Sequence, residues 1–402
     1  MLEYISGSTP AALLALTGGA AERAIRSGRL KGAVTDLSVE EVVHPPFGRT
    51  RHPYFMHDML RRQPVATQAT LALSSDALDA VPMPPAEGYW LFVGTGTSYH
   101  AAEATARGGE ESGLPVGRCV PQTAFEVAGN PDRYAHAAVA VIFSASGETL
   151  VTNAALERLA ERKVPTVLVT AAEKGRAASL ADHVLLTRYA DETSWTHTVS
   201  YTSALALAQA LVTRFRGVDT VPPIDPDALQ EAVVEALALE NTVVEFIDQL
   251  TTRPELLLIG SGSAETTARE GALKLREASG RFASVNATEE FLHGTLPSIG
   301  PRVAVVALSR TERERDRSVS GLRAAASLGA LTVLIDSSGS APAPEPIVTW
   351  AVRPAGDASL PIVQVVPLQL MAYWLAVSEG RNPDVMGLDD PRYLASRQSF
   401  RI

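Results

Sequence analysis

The chain has 402 residues, 46% hydrophobic and 20% charged, with a net charge of −10 and a single cysteine. That length calls for two or more cores, and that composition belongs to a folded globular protein. The negative balance excludes a general nucleic-acid binder, which needs clustered Lys and Arg for the phosphate backbone. It leaves room for a small anionic ligand, because a pocket answers to its local field.

Cys119 alone excludes an intrachain disulfide and fits a reducing cytoplasm. Between Arg118 and Val120 it reads as an inert thiol on a short strand. The 8 histidines are scattered and give no zinc-type spacing. The N-terminus lacks the basic start and apolar stretch of a signal peptide. No uninterrupted run of about 18 apolar residues predicts a membrane span.

In chain order, residues 1–52 carry no recognisable chemistry, with short helical pieces expected at 11–25 and 34–43. A helix is expected from His52 through Gln63-Pro64 toward Leu73. From Tyr89, apolar runs alternate with helical patterns. Strands are expected at 89–93, 139–143, 166–170 and 184–187, and helices at 100–111, 149–162 and 198–215. This alternation predicts a parallel sheet with helices on both faces. Val221-Pro222-Pro223 and Asp225-Pro226 then break the pattern.

One long helix is expected over 229–250, after which the pattern returns. Strands are expected at 256–259, 282–285, 303–308, 331–335 and 347–352, with a closing helix at 361–377. Gly260-Ser261-Gly262-Ser263 echoes Gly94-Thr95-Gly96-Thr97-Ser98 and predicts an internal duplication. The chain thus divides into an extension (1–52), a first domain (53–220), a second (228–380) and a polar tail (381–402) that wraps rather than folds alone.

Two loops of the first domain are rich in hydroxyls and each joins a strand to a helix. One carries Thr97 and Ser98, the other Ser144, Ser146 and Thr149, with Gly147 between them. Ligands of doubly wound sheets bind at the carboxyl ends of strands, where helix N-termini offer free N–H groups to an anion. Either loop alone reads more simply as caps and turns; two in one domain predict an anion site. Neither Gly-x-Gly-x-x-Gly nor a P-loop signature is present, which argues against a nucleotide.

A second group follows. Glu270, Lys274 and Glu277 share a helix face at i, i+4 and i+7, and His293 lies on the next element. Such Glu–Lys pairs ordinarily mark a solvated face worth about 0.2–0.5 kcal/mol each. Two carboxylates, an ammonium and an imidazole also form a set able to move protons on and off carbon and oxygen.

Together these residues resemble a known family. Gly96-Thr97-Ser98 with Ser144-Ala145-Ser146-Gly147-Glu148-Thr149 resembles the phosphosugar-binding signature of sugar isomerase (SIS) domains. The run from Glu270 to Glu277, followed by Glu290-Phe291-Leu292-His293-Gly294, resembles the second SIS domain in the isomerase half of glutamine:fructose-6-phosphate aminotransferase. Asp389-Asp390-Pro391-Arg392-Tyr393-Leu394-Ala395 is similar to that enzyme's C-terminal segment, so the likeness covers about residues 53–402.

The resemblance implies an α/β protein of two doubly wound, parallel-sheet SIS domains in tandem, flavodoxin-like or Rossmann-like sandwiches. It implies an aldose–ketose isomerase for a hexose with an anionic group at C6, working without metal or organic cofactor, without nucleic acid and away from membranes. Thr97, Ser98, Ser144, Ser146 and Thr149 would hold the anion. Glu277 would shuttle a proton between C1 and C2, and Lys274 would lie beside the enediol oxygens. His293, donated by the neighbouring subunit of a cytoplasmic homodimer, would assist ring opening.

The sequence departs from the family in three places. No glutaminase region precedes the isomerase part, so ammonia transfer from glutamine is not expected. The family's Schiff-base lysine falls at Ser396, which cannot form an imine. Val199 stands at a lysine position of the loop before the helix at 198–215, and Trp195 and His197 replace small residues near the anion. The C6 anion is then a phosphate or a related group such as a sulfonate, since an indole and an imidazole donate directionally and suit a tetrahedral anion of lower charge. Core packing for Trp195 and a helix start for His197 are the simpler reading.

The nearest rivals are a deaminating isomerase for an amino-sugar phosphate and a deglycase for a fructosamine phosphate, which use the same proton shuttle. A non-catalytic sugar-phosphate sensor is a third, because SIS domains also serve as ligand-binding modules of regulators. Against it stand Glu277, Lys274 and His293 together, with no evident DNA-binding segment.

Overall fold

A computed structural model describes residues 48–217 and 224–397. The helical pieces expected at 11–25 and 34–43 lie outside them.

The first half runs α1 (Phe55–Ala72), α2 (Ser75–Ala80), β1 (Tyr89–Gly94), α3 (Thr97–Glu111), β2 (Cys119–Thr123), α4 (Ala124–Gly129), β3 (Ala137–Phe143), α5 (Leu150–Glu161), β4 (Thr166–Thr170), α6 (Arg176–Leu180), β5 (His183–Leu186) and α7 (Val199–Arg216). The second half runs α8 (Pro226–Leu237), α9 (Glu240–Thr251), β6 (Glu255–Gly260), α10 (Ser263–Ser279), β7 (Ala283–Ala287), β8 (Val303–Ser309), α11 (Glu312–Ser327), β9 (Leu331–Asp336), β10 (Val348–Ala351), α12 (Leu360–Ser378) and α13 (Pro391–Arg397).

The strands form two five-stranded sheets, ordered β2-β1-β3-β4-β5 and β7-β6-β8-β9-β10. Every pairing is parallel. Both orders are the doubly wound 2-1-3-4-5 arrangement, so the duplication read from the two glycine turns is present in the fold.

The strands are continuous apolar runs because both faces are covered by helices. Trp90, Leu91, Phe92 and Val93 are each at most 2% exposed. Their side chains alternate. Leu91 and Val93 join a core confined to the first sheet's outer face, while Trp90 and Phe92 join one that also holds Leu256, Leu258 and Val306 of the second half. The two sheets therefore share a central core, and α3 packs against α10 within it.

Four expectations are revised. The helix over 229–250 is two helices, α8 and α9, interrupted at Ala238-Leu239 without Gly or Pro. Beyond the interruption Glu240 points inward, accepting from Trp374 Nε1 (3.0 Å) and His57 Nε2 (2.8 Å). That tertiary demand leaves no local signal in the sequence. The helix expected from His100 starts at Thr97, because Gly96 at φ +58° turns the chain directly into it.

The strand placed at 282–285 is β7, two residues further along at its end. The tail both wraps and folds a last short helix, α13. Within it, Asp384 caps α1 by accepting from Phe55 N (2.8 Å) and Met56 N (2.7 Å).

One helix among the described residues, Asp357–Ser378, is long and apolar enough to cross a membrane, with mean hydropathy 1.6, but 89% of that window is buried inside the protein. It is the core helix on which both halves pack.

Candidate functional site

In the 2-1-3-4-5 order the crossovers diverge between β1 and β3, so the loops after these strands open at the switch point. A cavity there is walled by Thr97, Ser98, Ser144, Thr170, His197 and Ser200 over an apolar floor of Phe143 and Val169. No Lys or Arg lines it. Ser144 is buried and its hydroxyl accepts from Gly147 N (3.2 Å). Ser146 is exposed, accepts from Glu148 N (3.2 Å), and stands off this wall, as does Thr149. The structure thus gathers Thr97, Ser98, Ser144 and His197 from the expected anion-binding residues and leaves Ser146 and Thr149 aside.

Glu270, Lys274 and Glu277 are not a solvated face. Lys274 and Glu270 side chains are 0% exposed. Lys274 Nζ donates to Glu277 Oε2 (2.5 Å) and to Thr97 Oγ1 (2.9 Å), and lies 3.3 Å from Glu270 Oε1. Thr97 in turn donates to Glu270 (3.2 Å), and His100 Nδ1 lies 2.7 Å from Glu270 Oε2.

The cluster therefore ties α10 to the first turn of α3, and Glu103–Arg269 (2.7 Å) ties the same helices further along. The Lys274 ammonium is thus held by two hydrogen bonds and one further carboxylate within the protein, and its side chain has no exposure. The reason is packing: α3 seals it completely.

The charges shape one another. Burial works against the Lys274 ammonium, but Glu270 and Glu277 outweigh it and hold its pKa above the ordinary value. Burial pushes Glu270 up, and Lys274 and His100 together pull it below the ordinary range. Glu277 ends above its ordinary value, through burial and then the nearby Glu270, with Lys274 opposing. Burial first, then Lys274, drives His197 down to about 4, so it is neutral near pH 7.

Glu277 reaches the surface of the cluster. Its side chain is 16% exposed and it borders a second cavity of about 350 Å³, with Arg276, Arg381, Asn382, Asp389 and Tyr393 around it. That volume falls in the range of small-molecule sites, about 300–1,000 Å³. The Thr97–Lys274–Glu277 chain therefore links the wall of the hydroxyl cavity to the wall of the larger one.

The remaining expected residues lie elsewhere. Trp195 is half-buried against the tail: its backbone N–H donates to Asp384 O (2.9 Å), and the Arg397 guanidinium lies 5.8 Å from its ring. Ser396 is exposed on α13 and donates to Tyr393 O (2.8 Å); Tyr393, not Ser396, reaches the cavity wall. The His293 side chain is 75% exposed on a short helical stretch at 288–295 and faces Glu289 at 3.4 Å. Within the described residues of this one chain it does not meet Glu277.

Two residues were not singled out from the sequence. His100 carries a usable signal, standing one turn after Thr97 on the same helix face. Glu192 carries none. Its Oε2 accepts from both Thr198 N and Ser200 N (3.0 Å each), fixing the loop that presents His197. Burial raises Glu192 to about 7 despite those bonds.

A family model described as the SIS domain matches residues 90–214 and 249–379. The isomerizing glutamine–fructose-6-phosphate aminotransferase of Pyrobaculum aerophilum is 30% identical over 357 residues, covering 86% of this chain and 57% of its own. That of Thermococcus kodakarensis is 30% identical over 358 residues, covering 86% and 58%. The chain thus spans less than two thirds of the length of these relatives.

Among solved structures, the C-terminal domain of glucosamine-fructose-6-phosphate aminotransferase from Francisella tularensis aligns with a TM-score of 0.70 at 20% identity, over 83% of this chain and 98% of that one. Tagatose-6-phosphate ketose/aldose isomerase from Escherichia coli aligns at 0.69 and 18%, over 86% and 97%. At these identities the likeness is one of fold.

Proposed function

Because the chain belongs to the SIS domain family, we propose that it is an aldose–ketose isomerase for a hexose carrying an anionic group at C6. One observation carries the reading: Glu277 is a carboxylate of raised pKa, held by a fully buried lysine, at the edge of a cavity of sugar size.

The Thr97, Ser98 and Ser144 cradle takes the anion. Glu277 removes the C2 proton of the open-chain aldose, and the protonated carboxyl returns it to C1. O1 gains and O2 loses a proton across the enediol. A raised pKa makes Glu277 a stronger base than a free carboxylate, and Lys274 keeps it ionised and oriented. Lys274 also stabilises the enediolate through space, from its fully buried position behind Glu277. His293 opens the ring of a substrate held by the neighbouring subunit of a homodimer, and its exposure supports that role.

The C6 anion is a phosphate or a sulfonate, and a neutral His197 with a cradle without Lys or Arg favours the singly charged sulfonate over the largely dianionic phosphate monoester. Ser396 at the Schiff-base position argues against amination of a ketose. We place the enzyme in the cytoplasm.

Asp389 and Asp390 on the wall of the Glu277 cavity favour a second reading. An ammonium substituent would pair with them, and the same proton shuttle would then serve a deaminase or a deglycase.

The test is a thermal-shift screen with glucose 6-phosphate, fructose 6-phosphate, glucosamine 6-phosphate and 6-deoxy-6-sulfoglucose. A ligand of the folded state raises the midpoint by an amount that grows with the logarithm of its concentration over Kd. A shift with one of these supports the reading, and ammonia release from glucosamine 6-phosphate selects the second one. No shift with any of them refutes both.

A further inference from the structure

The duplication places a second cradle at the far end of the α3–α10 pair. Gly262 repeats the backbone of Gly96, φ +58° in each, with ψ −131° against −128°. Ser263 opens α10 as Thr97 opens α3, and Arg269 stands 166 positions after its partner Glu103. Glu111 closes the 15 residues of α3, and Glu277 occupies the same position of α10. Each carboxylate therefore arrives at the cradle of the opposite sheet. Glu277 reaches Thr97 through Lys274; Glu111 reaches Ser263 directly.

Glu111 is seated there as a bound anion would be. Its Oε1 accepts from Ser263 N (2.8 Å), and its other oxygen pairs with Arg310 Nη1. The same Nη1 donates to Ser263 Oγ (3.1 Å), while Nε and Nη2 of Arg310 go to Glu314. The Arg310 side chain is 12% exposed and that of Glu111 27%. A side chain at Gly262 would crowd the ends of both, which would have to shift, while the positive φ is what calls for glycine there.

We propose that this second cradle is an oxyanion site that the chain fills with its own carboxylate. Glu111 is a built-in ligand, and it latches the first half of the protein to the second. With Thr97 at one end, Glu103 in the middle and Glu111 at the other, the latch sets the register of α3 on α10. It thereby fixes the Thr97–Lys274 contact. The inference does not depend on the isomerase reading.

The test compares the full chain with Glu111→Ala and Glu111→Ala/Arg310→Ala, by thermal midpoint at constant ionic strength, with and without inorganic phosphate. Glu111→Ala should lower the midpoint by a few degrees. Phosphate should then raise it by more than it raises the wild type, whose response comes from the first cradle alone. The extra response should vanish with Arg310→Ala. If Glu111→Ala folds poorly in phosphate-free buffer, refolding yield with and without phosphate reads the same contrast. Equal phosphate responses in Glu111→Ala and wild type, or an excess that survives Arg310→Ala, would overturn the proposal.

Discussion

Lys274→Met is the perturbation that the structure prices most clearly. The side chain has no exposure, and its ammonium serves Glu277 at 2.5 Å, Thr97 at 2.9 Å and Glu270 at 3.3 Å. Methionine fills a similar volume, so the loss is electrostatic rather than a cavity. Removing one member of a buried ion cluster leaves the other charges uncompensated and costs about 3–5 kcal/mol. For cores of this size that is on the order of 6–20 °C in midpoint, taking about 2–4 °C per kcal/mol.

The cost should depend on pH in a stated direction. Burial pushes both carboxyls up and Lys274 opposes it in each, so without the ammonium Glu270 should rise and Glu277, already above its ordinary value, should rise further. A raised carboxylate is harmless below its unfolded pKa and costs progressively more as pH climbs through its folded one. The deficit of Lys274→Met should therefore be small at pH 4.5 and largest at pH 8. Neutralising both carboxylates in Lys274→Met/Glu270→Gln/Glu277→Gln should recover most of it. Urea unfolding at several pH values measures this. A deficit under about 1 kcal/mol at pH 8, or one independent of pH, would refute a buried ion cluster of this kind.

Three further outcomes are expected. Glu192 has a folded pKa of about 7 against 4.5, so its contribution is fully present below pH 4.5 and lost as pH rises to 7. That is up to about 3 kcal/mol at 1.36 per unit. Glu192→Gln keeps an oxygen for both backbone N–H groups, and its stability should be flatter over that window in equilibrium unfolding. Thr97→Val removes a donor to Glu270 and an acceptor for Lys274, and should cost about 1–3 kcal/mol in denaturant titration. Glu277→Gln and His293→Ala should each be inactive alone. Mixed and refolded together they should regain about a quarter of wild-type turnover, because half the dimers then carry one complete site. No recovery on mixing would place His293 outside its neighbour's site.

The sheets were legible because buried parallel strands are continuous apolar runs, and Tyr89–Gly94 and Val303–Ser309 declare themselves. The duplication was legible because Gly96 and Gly262 serve one backbone geometry. The break between α8 and α9 was not legible: it answers to Trp374 and His57, far away in sequence.

The Glu270–Lys274–Glu277 spacing put three groups on one helix face. Only the packing of α3 showed that face to be sealed, because an i, i+4 pair looks the same wet or dry. The two hydroxyl loops were recognised, but Ser146 and Thr149 turned out to stand off the cavity wall, since spacing in a loop does not fix which hydroxyl points inward. His100 joined the cluster by lying on the Thr97 face.

The most direct measurement is deuterium exchange at carbon. The protein would be incubated in D2O with each sugar that shifts its melting, and the C2 proton of the aldose followed by NMR. The wild type should interconvert aldose and ketose and wash deuterium into that position. Glu277→Gln should bind the same sugar, as judged by thermal shift, and leave the C2 proton in place. Undiminished exchange in Glu277→Gln, or no exchange by the wild type with a sugar that it binds, would contradict the role given to Glu277.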